Sequence, residues 1–339
     1  MKAISLFAWG VRAGAIAALT VGCLLAASPS SAQEVRLNLV TAFPFEGKVG
    51  DKMYGIKLFI ERFNERAAGK AHINVIGGPE VIEPFDHLKA LQTGQFDMAV
   101  TSDLYFSELR DIQFKNFIPY DKQIELAKET IPLLQKITRE KADVIYLQYS
   151  SPGLDFYVWS TKPIATLADA KGQKIRALGD LIWAMEQYLG VVPVRMPSHE
   201  VYSALRTGVV DGAIREWLSL EVLNEGEFLK YRMEPTLAWI ESDTLISARA
   251  WDKLSPEVQQ MMFDIARETE IECLEWMRER KKVNQRFLKE TYGIETVPAS
   301  DELKRVMEVE MPQAIIRSIL KDSPYRAEIA DAFKLQNVE

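Results

Sequence analysis

Hydrophobic residues follow two different spacings along this chain. Val35–Thr41 alternates apolar with polar residues, the two-residue period of a half-buried strand. Residues 48–68 instead place apolar side chains three and four positions apart, as in an amphipathic helix, and this pattern stops at Gly69. The two patterns then recur, with predicted strands at 72–76, 96–101, 144–149, 154–160 and 191–196, and predicted helices at 85–93, 122–141 and 181–189. Strands that alternate with helices predict βαβ units and mainly parallel sheets.

One ten-residue pattern occurs twice. Residues 90–99 and 204–213, which lie 114 positions apart, both read A-L-x-T-G-x-x-D-x-A. The glycine suits the end of a helix, because it adopts positive φ freely, and a strand follows it. Chance reuse of a common connection is the alternative, but six identities in ten positions favour two structurally related lobes.

The last third of the chain predicts one long helix. Residues 237–248 read as a strand interrupted by a turn at 241–243, and Ser255 followed by Pro256 is typical of a helix start. The helical pattern then continues to Tyr292, a length of roughly 50 Å at 1.5 Å per residue. Its heptad positions are irregular, so we expect a strut across two lobes rather than a coiled coil.

Residues 1–32 have the pattern of a cleavable secretory signal peptide. Lys2 and Arg12 lie before or within an apolar stretch at 13–27, and small residues ending at Ala32 supply the cleavage site. A membrane anchor is the alternative, but the stretch is shorter than the ~20 residues that span a bilayer. We therefore expect an exported, soluble, periplasmic protein that begins near Gln33.

Charge and cysteine content agree with export. The formal net charge is −7, and removal of the leader leaves 39 basic and 48 acidic residues, a charge of −9. This acidity removes the basis for nonspecific nucleic-acid binding, so no nucleic acid is expected as a partner. Of the two cysteines, Cys23 lies in the leader, and Cys273 alone cannot form an internal disulfide. Lipidation of Cys23 is a further alternative, which Thr20 disfavours because a leucine is usual there.

Catalytic motifs are missing from the sequence. There is no G-x-S-x-G, H-E-x-x-H, P-loop or G-x-G-x-x-G after the leader. His72, His87 and His199 are not spaced as zinc ligands, and His87 is expected on a solvated helix face. A carboxylate pair for glycoside hydrolysis stays open, because acidic residues are abundant. A binding protein without metal or cofactor is favoured over an enzyme.

An ordered set of short motifs then resembles a known family. They are K-G-Q-K-I-R at 171–176, G-V-V-P-V at 190–194, M-P at 196–197, E-V-Y-S-A-L at 200–205 and G-V-V-D-G at 208–212. This order is similar to that in solute-binding proteins of tripartite ATP-independent periplasmic (TRAP) transporters, which include C4-dicarboxylate binders. G-Q-F-D-M at 94–98 fits the corresponding first-lobe pattern, and the resemblance covers essentially the whole mature chain.

The resemblance implies a two-lobed α/β periplasmic binding protein fold, each lobe a mainly parallel sheet flanked by helices. Lobe 1 is expected at 33–153, with later segments returning to it, and lobe 2 at 154–248. Residues 249–339 are expected to form the long interlobe helix and the C-terminal helices that span both lobes. A ligand cleft between the lobes, closing on binding, is implied as well.

The resemblance also assigns a ligand anchor. In the family the arginine of the K-x-R motif forms a bidentate salt bridge to the ligand carboxylate, and here that residue is Arg176. A planar guanidinium matches a carboxylate with two parallel hydrogen bonds, which are strongest where water is scarce. Without the motif, Arg176 would be interpreted as a surface arginine after a strand.

Two departures from the family pattern bear on the ligand. Arg215 stands where many relatives have a ligand-contacting asparagine, which suggests a second cation, and Phe156 stands where some sugar-acid binders have another arginine. A sugar acid or a dicarboxylate held by those arginines is therefore less expected than an acid with an apolar or aromatic body. Glu216–Trp217 is similar to a pair in relatives that bind keto acids through a metal ion, although no metal is predicted here.

The sequence therefore predicts a receptor that captures an organic acid and passes it to the membrane subunits of a TRAP transporter. A receptor for a membrane signalling partner and an exported hydrolase are the alternatives. Trp183 is a further aromatic residue expected near the cleft. The predicted ligand-binding residues are Arg176, Arg215, Phe156, Ser102, Tyr105, Ser198, Trp217 and Glu80.

Overall fold

The structure is a computed structural model that describes residues 34–46, 51–240 and 242–336. The predicted signal peptide lies outside the described residues. Eleven strands are described: β1 Val35–Thr41, β2 Ala71–Gly77, β3 Met98–Thr101, β4 Val144–Tyr149, β5 Phe156–Ser160, β6 Lys174–Arg176, β7 Val192–Val194, β8 Gly212–Glu216, β9 Tyr231–Glu234, β10 Asp243–Ser247 and β11 Glu295–Pro298.

Thirteen α-helices flank these strands within the described ranges. They are α1 Tyr54–Arg66, α2 His87–Thr93, α3 Tyr120–Glu125, α4 Ala127–Ala142, α5 Leu167–Ala170, α6 Leu181–Leu189, α7 Val201–Arg206, α8 Ser219–Val222, α9 Ala248–Trp251, α10 Pro256–Tyr292, α11 Asp301–Arg305, α12 Met311–Lys321 and α13 Arg326–Ala332. None of these helices is long and apolar enough to cross a bilayer.

The strands form two sheets of matching design. The first has the order β2-β1-β3-β10-β4, and the second has the order β7-β6-β8-β5-β9, extended at its edge by β11. In each sheet the first two pairings are parallel and the next two are antiparallel. The prediction of a two-lobed α/β fold is confirmed, and each sheet proves to be mixed rather than purely parallel.

The repeated ten-residue pattern forms the same structure in both sheets. Gly94 and Gly208 adopt φ values of 76° and 70° directly after a helix, where a side chain would be strained. The aspartate that follows each glycine accepts a hydrogen bond from a neighbouring strand: Asp97 from the Asn38 N–H at 3.0 Å and Asp211 from the Lys174 N–H at 2.9 Å. Equivalent residues therefore join equivalent helices and strands.

Two antiparallel segments carry the chain between the sheets. One joins β4 to β5, and the other leads from β9 to β10. Ser150 N–H donates to the Ser242 carbonyl at 2.7 Å, and Phe156 N–H donates to the Ala238 carbonyl at 2.9 Å. Because β10 returns to the first sheet from the second, it runs opposite to β3 and β4. It therefore forms both antiparallel pairings of the first sheet.

The long helix α10 is confirmed as a single element. Ser255 caps it by accepting from the Val258 N–H, and Gly293 ends it with φ of 67°. Its first half forms an ion pair with Arg62 of α1 through Glu272, while its second half reaches α8 through Arg280. It therefore contacts helices that flank both sheets.

The sequence patterns missed some local structure. Residues 103–117, for which no element was predicted, form consecutive 3₁₀ turns. The single helix predicted at 122–141 is two helices, α3 and α4. His87 was expected on a solvated face but is completely buried, and burial lowers its pKa to about 4.

Candidate functional site

A cavity lies where the two sheets face each other. Its walls include residues at or just after the carboxyl ends of four strands: Phe43 after β1, Ser102 after β3, Arg176 at the end of β6, and Glu216 at the end of β8. Ligands of open α/β sheets bind at this end of the strands, because the connecting loops separate there and leave a crevice. The empty space between these walls, including the solvent at its opening, is about 530 Å³.

The antiparallel crossing segments form another wall of the cavity. Leu154 and Phe156 come from the first crossing, and Ile240 and Ser242 come from the second. Both sheets and both connections between them therefore contribute to one site.

Further contacts join the two halves beside the cavity. Arg110, in the turns after β3, forms an ion pair with Asp180 before α6 at 3.0 Å. Arg195, after β7, lies over the Phe85 ring at 4.1 Å. Gly179 lies so close to Leu104 that an added Cβ would be 2.8 Å from a leucine methyl carbon, so a larger residue would require the Leu104 side chain to move.

Arg176 is a buried cation without a carboxylate partner among the described residues. Only 5% of its surface is exposed. Its Nε donates to the Met196 carbonyl at 3.2 Å, and its Nη1 reaches the Ile214 carbonyl at 3.5 Å. Burial and, next, the charge of Arg215 lower the pKa of Arg176 to about 10. The guanidinium therefore stays charged at neutral pH and still has N–H groups to offer an anion.

Arg215 also lines the cavity, but its charge is paired. Its Nε donates to Glu225 at 2.8 Å, and its Nη2 contacts the other oxygen of the same carboxylate. Nη1 and Nη2 donate to the hydroxyl and carbonyl of Ser198 at 2.6 and 2.9 Å. The second cation expected at this wall is thus neutralised from behind by Glu225.

A second buried ion pair joins the two halves at the cavity wall. Lys52, before α1, contacts the carboxylate of Glu216 at the end of β8, and both residues are at least 97% buried. The ammonium also lies 3.2 Å from the Ser219 hydroxyl and 4.0 Å from the centre of the Phe43 ring. Against burial, Lys52 and Arg215 lower the pKa of Glu216 to about 2, so this carboxylate is ionised at neutral pH.

Apolar side chains cover the rest of the cavity. Phe156 is half-buried on β5, directly opposite Glu216 of β8. Tyr105 is 6% exposed, with its ring edge-to-face against Phe85 at 4.8 Å. Half of the lining residues are hydrocarbon or phenyl groups: Phe43, Leu104, Leu154, Phe156, Leu178, Leu181, Ile214 and Ile240.

The structure brings six of the eight predicted site residues to the cavity: Arg176, Arg215, Phe156, Ser102, Tyr105 and Ser198. Trp217 does not line it. That side chain is fully buried, and its indole N–H donates to the Gly153 carbonyl at 3.1 Å. Glu80 is exposed and accepts from the Gly78 N–H. Trp183 lies outside the lining too, with its indole N–H on Asp180.

Sequence reasoning did not include Lys52 or Glu225 among the site residues. Lys52 precedes its helix without any motif, and Glu225 lies in an irregular segment ten residues after Arg215. Their importance comes from pairing across the fold, for which a single sequence holds no signal.

A buried charged cluster lies beside the cavity. Lys115 contacts Asp103 at 2.8 Å and Asp243 at 3.0 Å, and all three side chains are completely buried. Asn116 donates to Asp103 at 3.0 Å. Asp103 follows β3 and Asp243 begins β10, so the cluster joins the returning crossing segment to the loop that carries Ser102 and Tyr105.

Relatives of known sequence were found along most of the chain. YiiZ, an uncharacterized protein of Salmonella typhimurium, is 29% identical over 164 residues, which are 47% of this chain and 50% of the relative. The C4-dicarboxylate-binding periplasmic protein DctP of Vibrio cholerae is 24% identical over 246 residues, 70% of this chain and 73% of the relative. The chain thus spans only half the length of the first of these relatives.

Solved structures share the fold. A Bordetella pertussis extracytoplasmic solute receptor that binds pyroglutamic acid aligns with a TM-score of 0.73 and 20% identity, covering 88% of this chain and 99% of the receptor. A Sulfitobacter TRAP solute-binding protein with bound β-D-galacturonate gives 0.74 and 22%, covering 88% and 99%.

The family profile of the bacterial extracellular solute-binding proteins, family 7, matches residues 51–321. This match includes both sheets, apart from β1, and every charged residue that lines the cavity. The chain belongs to this family, the extracytoplasmic solute receptors of TRAP transporters, which are binding proteins and not enzymes.

Proposed function

We propose that this receptor captures an organic acid through Arg176 and delivers it to the membrane subunits of a TRAP transporter. The observation that carries the proposal is a buried guanidinium with no carboxylate partner among the described residues. Removing a cation from water is costly unless an anion compensates it. A ligand carboxylate that accepts two N–H···O bonds from Arg176 would supply that compensation.

The proposal extends to the body of the ligand. Hydrocarbon groups and the Phe156 ring face the same space as Arg176, which supports an acid with an apolar or aromatic body. Relatives differ in this respect: the two solved structures hold pyroglutamic acid and galacturonate, and the Vibrio cholerae relative is named for C4-dicarboxylates. The ligand of this chain therefore has to be identified by experiment.

Movement of the two halves is part of the proposal. Lobe 1 at 33–153 and lobe 2 at 154–248 stay predictions, as does opening about the two crossing segments. Where the halves meet beside the cavity, Arg110 pairs with Asp180 and Arg195 lies over the Phe85 ring. Ligand that touches both halves would favour the closed arrangement, because those contacts exist only when the halves meet.

A screen of carboxylic acids tests the proposal. Acids that bind should raise Tm, because a ligand at a hundredfold excess over Kd stabilises the folded state by about 2.7 kcal/mol. We expect acids with apolar bodies to rank above short polar ones in differential scanning fluorimetry. The primary amide of each hit is the matched control, since it keeps the shape and loses the charge. Amides that stabilise as well as the acids would contradict the role of Arg176.

Export by a cleavable leader is also proposed. We expect the protein released from the periplasm to begin at Gln33, because small residues end at Ala32 where signal peptidase would cut. Intact-mass measurement of the periplasmic fraction checks this. A chain that begins at a lipidated Cys23 and needs detergent for release would contradict it.

A further inference from the structure

We propose that the cavity selects monoanions over dianions, and that Glu225 sets this preference by neutralising Arg215. The inference rests on the proposed function, because it concerns acids held by Arg176. It adds a specificity-determining residue that does not line the cavity.

The charges around the cavity add up to one unpaired positive charge. Among the described residues, the wall and the layer directly behind it carry three cations, Lys52, Arg176 and Arg215, and two carboxylates, Glu216 and Glu225. A proton that moves between Lys52 and Glu216 leaves this sum unchanged. A single ligand carboxylate would therefore bring the site to neutrality.

The hydrogen bonds show which cation remains open. Arg215 donates hydrogen bonds from Nε and Nη2 to Glu225, and from Nη1 and Nη2 to Ser198. Lys52 is held by Glu216 and by Ser219. By contrast, among the described residues Arg176 donates to two backbone carbonyls and no side chain, at 3.2 and 3.5 Å. Arg176 thus keeps N–H groups for a ligand, whereas Arg215 and Lys52 are already paired with carboxylates.

A second ligand carboxylate would find no free cation. The remaining lining groups within the described chain are hydrocarbon, phenyl or hydroxyl. The carboxylates of Glu216 and Glu225 would repel a dianion, and such charge interactions are stronger inside a protein than in bulk water. The neighbouring cluster of Lys115 with Asp103 and Asp243 holds more acidic than basic groups, so it would not attract a second ligand carboxylate.

The test compares straight-chain dicarboxylates from succinate to suberate with their monomethyl esters at pH 8. Each ester is a monoanion of nearly the same length as its parent dianion. For the wild-type protein, isothermal titration calorimetry should give at least about tenfold tighter binding of the ester. Glu225→Gln frees the charge of Arg215, which cannot lose its proton. That variant should shift the ester-to-dianion preference toward the dianion by about tenfold or more.

Glu227→Gln is the matched control. Glu227 lies two residues further along, is exposed, and accepts a hydrogen bond from the Tyr202 hydroxyl. This substitution removes the same formal charge from the protein without touching Arg215, so the preference should stay at the wild-type value. A thermal melt of each variant reports whether it is folded.

The outcomes separate the two proposals. Wild-type protein that binds the dianions as tightly as the esters overturns monoanion selection and leaves the carboxylate receptor standing. If the wild-type protein prefers the esters and the folded Glu225→Gln variant shows the same preference, the assignment to Glu225 is overturned. If Glu225→Gln does not fold, the wild-type comparison still decides monoanion selection. If no ester and no dianion binds, and no acid of the screen raises Tm, the carboxylate receptor is overturned, and this inference falls with it.

Discussion

Arg176→Ala should weaken binding of the best carboxylate by roughly 30-fold to several-thousand-fold. Removing one member of a buried, hydrogen-bonded charge pair costs about 2–5 kcal/mol of binding free energy, since the ligand carboxylate is left without its partner. Arg176→Lys should recover only part of the loss, because a point ammonium cannot reproduce the planar fork. Isothermal titration calorimetry on both variants, with the strongest acid from the screen, measures these effects.

Arg206→Ala serves as the control for this experiment. Arg206 is exposed on α7, so its removal should leave the affinity within error of the wild-type value. The apo form of Arg176→Ala should be no less stable than the wild-type protein, because the substitution removes a buried cation that has no counter-ion among the described residues. Near-wild-type affinity in Arg176→Ala would refute the anchor, and with it the reason for calling the ligand an acid.

The fold was largely accessible from the sequence because its signals are local. The A-L-x-T-G-x-x-D-x-A pattern requires a helix end, a glycine at positive φ and a strand start, and the structure has all three at Gly94 and at Gly208. Ser255 and Pro256 likewise marked the start of α10 correctly. Each of these features is determined by residues that lie close together in the sequence.

The charge state of the site could not be predicted from the sequence in the same way. Arg215 was noticed as an added cation, but its neutralisation depends on Glu225, which reaches it only because an irregular segment folds back behind β8. Lys52 meets Glu216 across 164 residues of sequence. The Lys52–Glu216 pair is a long-range consequence of packing the two sheets face to face, and the Arg215–Glu225 pair depends on how the segment after β8 folds back. Hydrophobic periodicity carries no information about either pair.

The buried cluster beside the cavity should be essential for stability. Lys115→Met leaves Asp103 and Asp243 buried together without their cation, which typically costs about 3–5 kcal/mol. At roughly 2–4 °C per kcal/mol for a chain of this size, Tm should fall by about 6–20 °C. Chemical denaturation with urea at pH 8, followed by circular dichroism, measures the loss in the free energy of unfolding.

The loss should depend on pH in a defined direction. In the wild-type protein burial is the largest influence on Asp243, and its pKa is raised to about 7 although Lys115 opposes the rise. Without Lys115 the pKa of Asp243 should rise further. The folded variant then binds a proton that the unfolded chain has released, so its stability increases as pH falls through the folded-state pKa. The deficit relative to wild type should therefore be larger at pH 8 than at pH 5.

Two further variants determine whether charge is the cause. Lys122→Met removes a partly exposed lysine whose ion pair within the described residues is with Glu125, three residues later. It should change stability by no more than about 0.5 kcal/mol. Lys115→Met combined with Asp103→Asn and Asp243→Asn removes every formal charge from the cluster, so it should recover much of the stability lost by Lys115→Met alone. The opposite result is a loss in the free energy of unfolding, caused by Lys115→Met, that is the same at pH 5 and pH 8 and persists when both asparagines are present. That result would mean that Lys115 acts through packing and not through its charge.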